Sequence, residues 1–179
     1  IRCATCTRTI GIAPTGELPP QCPHCTGACL PAQLGPFAPV RLIATGGMGE
    51  VYLARHVELG TEVAIKLLPA MPLEAAAAVR ERFAREARLT AKVQHPGVVK
   101  VLASDVAGDR PYLVLELVCG ETLRQRLARG PMTIPEAARA AAATADVLAA
   151  AHAEGVLHRD IKPDNVMLAQ DGSVRVLDF

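Results

Sequence analysis

His158-Arg-Asp-Ile-Lys-Pro-Asp-Asn165 is the stretch on which the reading of this chain turns, with Leu177-Asp178-Phe179 shortly behind it. Between them lies a small hairpin pattern, residues 166–168 and 174–177, around the turn Gln170-Asp-Gly172. Upstream the character is helical, first over residues 122–128 and then over 135–154. The second segment is apolar nearly all round, the pattern of a helix buried on several sides. Further upstream, strand patterns prevail: residues 40–44, 51–57, 62–68, 98–102 and 112–117. One long helical stretch interrupts them, residues 73–93, with Val79, Phe83 and Ala87 at four-residue spacing on one face. Strands with one helix first, then helices, is an α+β order.

Bulk composition sets the limits. With 179 residues the chain has room for one ordinary domain, or for a small module plus part of a larger one. Half the residues are hydrophobic and 21% charged, which is globular composition. Aromatics are scarce, so the expected core is aliphatic and rich in alanine. A net charge of +1 gives no electrostatic reason to expect nucleic acid or an anionic membrane as partner. The most apolar stretch, residues 137–153, is interrupted by Arg139, Asp146 and His152 and does not read as a membrane span. The start at Ile1 and the stop at Phe179 both read as cuts. A cytoplasmic setting follows from thiols that look unpaired and from the nucleotide chemistry below, and a membrane anchor downstream is compatible with it.

Four of the six cysteines, Cys3, Cys6, Cys22 and Cys25, form two C-x-x-C pairs near the start. Their spacing is that of a four-cysteine zinc site, since two thiolates separated by two residues can point into one tetrahedral corner from a tight turn. Only six large aliphatics lie in the first 36 residues, too few for a core of their own. Disulfides are the alternative, and they require an oxidising compartment. Cys29 and His24 read as spare residues rather than substitute ligands. The prolines and glycine of PAQLGPFAP, residues 31–39, read as a linker. We therefore expect a zinc-ribbon-like module with its linker over residues 1–36 and a separate domain over 37–179. With Arg2, Arg8 and Glu17 as its only charges, the module suits protein contact or a purely structural role.

Within the second domain, Thr45-Gly-Gly-Met-Gly49 interrupts two strand patterns. It is neither a P-loop, lacking Lys-Ser/Thr after the last glycine, nor a dinucleotide fingerprint, which a helix would follow. A strand–glycine turn–strand hairpin can fold over a triphosphate and offer N–H groups without side-chain obstruction. Val63-Ala64-Ile65-Lys66 occupies the next strand. A lysine in an apolar strand is costly unless its ammonium meets an anion. Glu86, off the apolar face of the following helix, reads as a surface glutamate when taken singly.

Taken together, TGGMGEVYLA, VAIK, RFAREA, HPGVVKV, YLVLELVCGETL and HRDIKPDN resemble, in order and spacing, the first half of a bacterial Ser/Thr protein kinase of the eukaryotic-like type. The resemblance runs from Ala38 to the end. It implies a kinase small lobe, a five-stranded antiparallel sheet plus one helix, followed by the first helices and catalytic loop of the large lobe. It further implies ATP and Mg²⁺ as ligands and protein Ser/Thr hydroxyls as acceptors. In that pattern Gly46, Gly47 and Gly49 lie over the phosphates, with Ala44 in the place of the first loop glycine. Val51, Ala64 and Met167 enclose the adenine, Leu115 is the gatekeeper, and the backbone of Glu116 and Val118 bonds the adenine edge. Lys66 holds the α- and β-phosphates and pairs with Glu86. Asp160 accepts or orients the substrate hydroxyl proton, Lys162 steadies the γ-phosphate, and Asn165 and Asp178 ligate Mg²⁺.

The resemblance departs from the family at Ala44 and at the end, where the glycine after Phe179 and the rest of the large lobe do not follow. The long helix is then expected to lack part of its cover, and the 179 residues alone to give no useful turnover. A second reading, a scaffold whose nucleotide pocket and zinc ribbon only recruit partners, rests on the same departures.

Overall fold

The computed structural model describes residues 2–3, 8, 24, 29–30, 33–46 and 49–179. Its contacts divide the chain into two units, Ile1–Arg80 with Ala103–Leu117 and Glu81–Leu102 with Val118–Phe179. Chain order gives β1 (Arg2–Cys3), β2 (Cys29–Leu30), β3 (Phe37–Gly46), β4 (Gly49–His56), β5 (Glu62–Leu67), α1 (Leu73–Thr90), β6 (Val101–Ala107) and β7 (Arg110–Glu116). Then follow β8 (Gly120–Thr122), α2 (Leu123–Ala128), α3 (Ile134–Ala153), a 3-10 turn (Pro163–Asn165), β9 (Val166–Ala169) and β10 (Val174–Val176).

Alternation builds the first unit. Its sheet has the order β3-β4-β5-β7-β6, and the pairings of β3 with β4, β4 with β5 and β5 with β7 are antiparallel. Tyr52 lies opposite Ile65, which lies opposite Val114, so these side chains share a face with Ala54, Val63, Leu67 and Tyr112. All seven are buried, none more than 5% exposed. Both of the chain's tyrosines are therefore core residues, which corrects the expectation of a purely aliphatic core.

Residues 33–39 are part of this unit rather than passive linker. Leu34 is 2% exposed within the core and exchanges backbone hydrogen bonds with Phe37 at 2.9 and 3.0 Å. Gly35 makes the turn with φ +56°, where a Cβ would sit 2.6 Å from the Tyr112 hydroxyl. A side chain here would be strained by the angle and would have to displace the Tyr112 hydroxyl. At the amino terminus, β1 and β2 pair so that Cys3 stands across from Cys29. Cys6, Cys22 and Cys25 lie outside the described residues.

In the second unit, Val147 and Ala151 of α3 bury against Val93, Val98 and Val176. The strand expected over residues 98–102 begins instead at Val101 and runs to Ala107. Val98 and Val99 are buried in a loop bonded to Val176, by a bridge and an N–H···O bond of 3.0 Å. Polar Ser104 and Asp105 fit a strand after all, because β6 is an edge strand. The apolar helix α3 is covered only in part, as expected. Only Ala140, Val147 and Ala151 are buried along it, and Ile134 is 86% exposed. Its alanines supply helix propensity more than burial. Thr133 starts the helix with a capping box, its hydroxyl accepting from the Glu136 N–H. The strand β8 has no clear sequence signature. Gly120, opposite Ala169, is its essential residue, since a Cβ there would meet the Leu168 carbonyl oxygen at 2.2 Å.

Candidate active site

The first unit carries the nucleotide half of the expected site on the sheet face opposite the tyrosine core. Val51 stands across from Ala44 on one side and Lys66 on the other; Ala64 stands across from Leu53 and Leu115. Ala44, Val51, Ala64, Lys66 and Leu115 therefore share one face of the sheet. Lys66 is half-buried, flanked by Ile65 at 0% and Leu67 at 1% exposure on the other face. Period-two alternation thus lowers the desolvation cost expected for a lysine in this apolar strand. The β3–β4 hairpin is paired as far as Gly46 and Gly49, and Gly47 lies outside the described residues. Gly49 has φ +118°, and a Cβ there would meet the Leu67 carbonyl oxygen at 2.2 Å. Ala44 is not among the residues with positive φ, so alanine is accommodated without strain. Glu116 ends β7 opposite Val63. Glu86 lies on α1, but its side chain, and with it the pairing to Lys66, is outside the described part.

The second unit carries the loop of residues 158–165, which hydrogen bonds hold in an irregular backbone. Lys162 Nζ donates to Asp160 Oδ2 at 2.6 Å, and Asn165 Nδ2 donates to the same oxygen at 3.1 Å and to the Asp160 carbonyl at 2.8 Å. The Lys162 hydrogen bond is the main cause that holds the Asp160 carboxyl below its usual range, helped by the Lys162 charge and the Asn165 amide. The same bond raises Lys162, with the charges of Asp160, Asp164 and Asp178 adding to it. Asn165 is buried, and its carbonyl accepts from the Leu177 N–H at 2.9 Å.

One residue that sequence reading left without a role organises this loop. His158 is 6% exposed, and its Nε2–H donates to the Leu177 carbonyl at 2.7 Å. Its Nδ1 accepts from the Asp160 N–H at 3.3 Å, so both ring nitrogens are engaged with backbone. The imidazole also packs on Phe179, with ring centroids 4.7 Å apart. Arg159 and Asp178 take φ of +63° and +55°, unusual for residues with a side chain and common at functional sites. Asp178 is exposed; Val118 and Met167 are half-buried, Met167 across from Thr122.

Comparison with known proteins fits this arrangement. A family model described as the protein kinase domain matches residues 37–179. The chain belongs to the protein kinase family. Among its kinase relatives, a serine/threonine-protein kinase pkn2 from Myxococcus xanthus is 45% identical over 148 residues, covering 81% of this chain and 18% of that protein. The serine/threonine-protein kinase PknB of Mycobacterium tuberculosis is 40% identical over 143 residues, covering 77% and 23%. A solved structure titled "PpkA-294 apo form" superposes with a TM-score of 0.71 at 27% identity, over 84% of this chain and 61% of that one. The chain thus spans about a fifth to a quarter of the length of these curated relatives. The kinase fold expected from the motifs is present, with the five-stranded sheet and one helix preceding α2, α3 and the catalytic loop. ATP and Mg²⁺ are the ligands this family implies. Among the described residues no cluster of metal-ligating side chains occurs and no helix is long and apolar enough to cross a membrane.

Proposed function

We propose that this chain is the nucleotide-binding and catalytic-loop part of a Ser/Thr protein kinase, which transfers the γ-phosphate of ATP to protein Ser/Thr hydroxyls. The observation that carries the reading is the cluster of Asp160, Lys162 and Asn165 around one carboxylate oxygen. An exposed carboxylate with a lowered pKa is ionised in neutral solution and can accept or orient a hydroxyl proton. With substrate bound, Lys162 would turn from Asp160 to the transferring phosphate and offer its charge to the transition state. Lys66 would hold the α- and β-phosphates and pair with Glu86. Ala44, Val51, Ala64, Leu115 and Met167 would form the adenine walls, and Glu116 and Val118 would bond its edge.

Asn165 and Asp178 suit Mg²⁺. The Asn165 amide nitrogen is already engaged with Asp160, which leaves its oxygen as the donor, and Asp178 supplies an exposed carboxylate. Both are the hard oxygen donors this ion requires. The ion would neutralise phosphate charge, while the chain's own residues orient the acceptor and take its proton.

A division between the amino-terminal module and the domain after it, a structural zinc on Cys3, Cys6, Cys22 and Cys25, contact of that module with a protein, and a cytoplasmic setting complete the proposal. The division, drawn at residues 36 and 37 from the sequence, is shifted ahead of Leu34 by that residue's burial in the core. The two C-x-x-C pairs support the zinc, and atomic absorption on purified protein would test it. The scaffold alternative loses one motive, since Ala44 fits its place without strain. The test of function is phosphate transfer from MgATP to a Ser/Thr peptide library by the protein at its natural length. Asp160→Asn should lower kcat about 10²–10⁴-fold while the protein stays folded. Unchanged transfer by that variant would remove Asp160 from the chemistry.

A further inference from the structure

The outgoing strand of the glycine hairpin is tied where it leaves the turn by a residue sixty positions away. Arg110, at the start of β7, donates through Nη2 to Glu50 Oε2 at 2.8 Å and through Nε to the Leu68 carbonyl at 2.9 Å. Glu50 directly follows Gly49, whose backbone lies against the Leu67 carbonyl with no room for a Cβ. Burial, and next the charge of the nearby Glu50 carboxylate, raise the Tyr52 hydroxyl pKa. One guanidinium thus joins β4, through Glu50, and β7 to the carbonyl that follows the last residue of β5.

The sheet register explains why the tie matters. Glu50 stands across from Leu67, and Leu67 stands across from Tyr112, so Arg110 lies two residues further along the same face as Glu50. Val51 and Lys66, which face the proposed nucleotide, are the immediate neighbours of Glu50 and Leu67 and stand opposite each other. The Arg110 side chain is 20% exposed and that of Glu50 36%, so the pair is partly desolvated and screened less than an open surface pair. Leu68 would otherwise present its carbonyl where β5 leaves the sheet; its own N–H bonds the Pro111 carbonyl at 2.9 Å.

We infer that Arg110 is a positioning residue for nucleotide binding, acting through Glu50 and the Leu68 carbonyl to hold the start of β4, beside the glycine turn, in register with Lys66. The inference rests on the kinase reading of this site. Arg110 itself touches no proposed ligand. Its guanidinium satisfies two acceptors at once in a fork, which an ammonium cannot reproduce.

The test is the Kd for MgATP, measured by calorimetry on the protein at its natural length, well below the melting temperature of each variant. Lys66→Met reports on the kinase reading and should abolish measurable binding. Arg110→Ala should weaken binding roughly three- to thirtyfold, the size of effects carried through such networks. Arg110→Lys, which keeps the charge and loses the fork, should fall between wild type and Arg110→Ala. Glu50→Ala combined with Arg110→Ala should weaken binding no more than Arg110→Ala alone, because both changes break the same tie. Wild-type affinity in Arg110→Lys and in a folded Arg110→Ala, with Lys66→Met inactive in binding, would overturn the inference and leave the kinase reading intact. Absence of MgATP binding by wild type, or equal binding by Lys66→Met, would overturn the kinase reading and the inference with it. Should Arg110→Ala not fold, Arg110→Lys and Glu50→Ala carry the same decision, since either one binding as wild type does contradicts the tie.

Discussion

In the sheet, Lys66 stands where it does because Ile65 and Leu67 on either side of it are buried on the other face. In the loop of residues 158–165, Asp160 stands where it does because His158, Lys162 and Asn165 hydrogen-bond to it. The first arrangement is regular: backbone pairing and the burial of the neighbouring side chains set the position. The second is irregular and includes left-handed angles at Arg159 and at Asp178 beyond it, so the functional side chains are themselves the supports. Chemistry and stability should therefore separate in the sheet and stay coupled in the loop.

The largest effect that tests this comparison lies in the sheet core. Ile65→Ala removes a fully buried side chain next to Lys66 and should cost about 2–5 kcal/mol of stability, read from urea denaturation. Under native conditions, amide exchange at Asp160 and Asn165 should remain as in wild type, since Ile65 belongs to one unit and the loop to the other. Faster exchange there would show that the loop depends on the sheet core after all.

How much was legible in the sequence follows the same line. Strands β4, β5 and β7, the helix α1 and the glycine hairpin were readable because alternation and turn chemistry are local signals. The buried tyrosines, the placement of Leu34 in the core and the shift of β6 were not, because each depends on what packs against the segment. Proline and glycine around Leu34 read as linker although its side chain completes a core. Val98 and Val99 read as strand although their burial is in a loop against Val176. In the site, Asp160, Lys162 and Asn165 were marked by motif, whereas the supporting roles of His158 and Arg110 require partners 19 and 60 residues away. For His158 a signal existed, since it opens the quoted motif; for Arg110 there was none.

A smaller effect tests the loop half. His158→Ala leaves the Leu177 carbonyl without its donor and the Asp160 N–H without its acceptor, at a cost of about 1–3 kcal/mol. Here the coupling should be visible: kcat should fall along with stability, whereas Ile65→Ala should leave kcat unchanged in the fraction that is folded. A His158→Ala protein with full kcat and only lowered stability would break the comparison on this side.

The finest test is a titration. In wild type the hydrogen bond and charge of Lys162 hold the Asp160 carboxyl low, and Asp160 in turn holds Lys162 high. The sign follows for each partner. Asp160 contributes its share of stability above its unfolded pKa, and that share is lost as pH falls through the lowered folded value. Lys162 contributes below its unfolded pKa, and its share is lost as pH rises through the raised folded value. Lys162→Met removes both: the Asp160 carboxyl, followed by NMR, should titrate at higher pH than in wild type, and stability should lose its dependence on pH at the alkaline end. The Asn165 amide remains on the same carboxylate oxygen in this variant, so part of the lowering should persist. An unmoved Asp160 titration would mean that Asn165 and the loop backbone alone set its charge, and that Lys162 is free to serve the phosphate without disturbing the base.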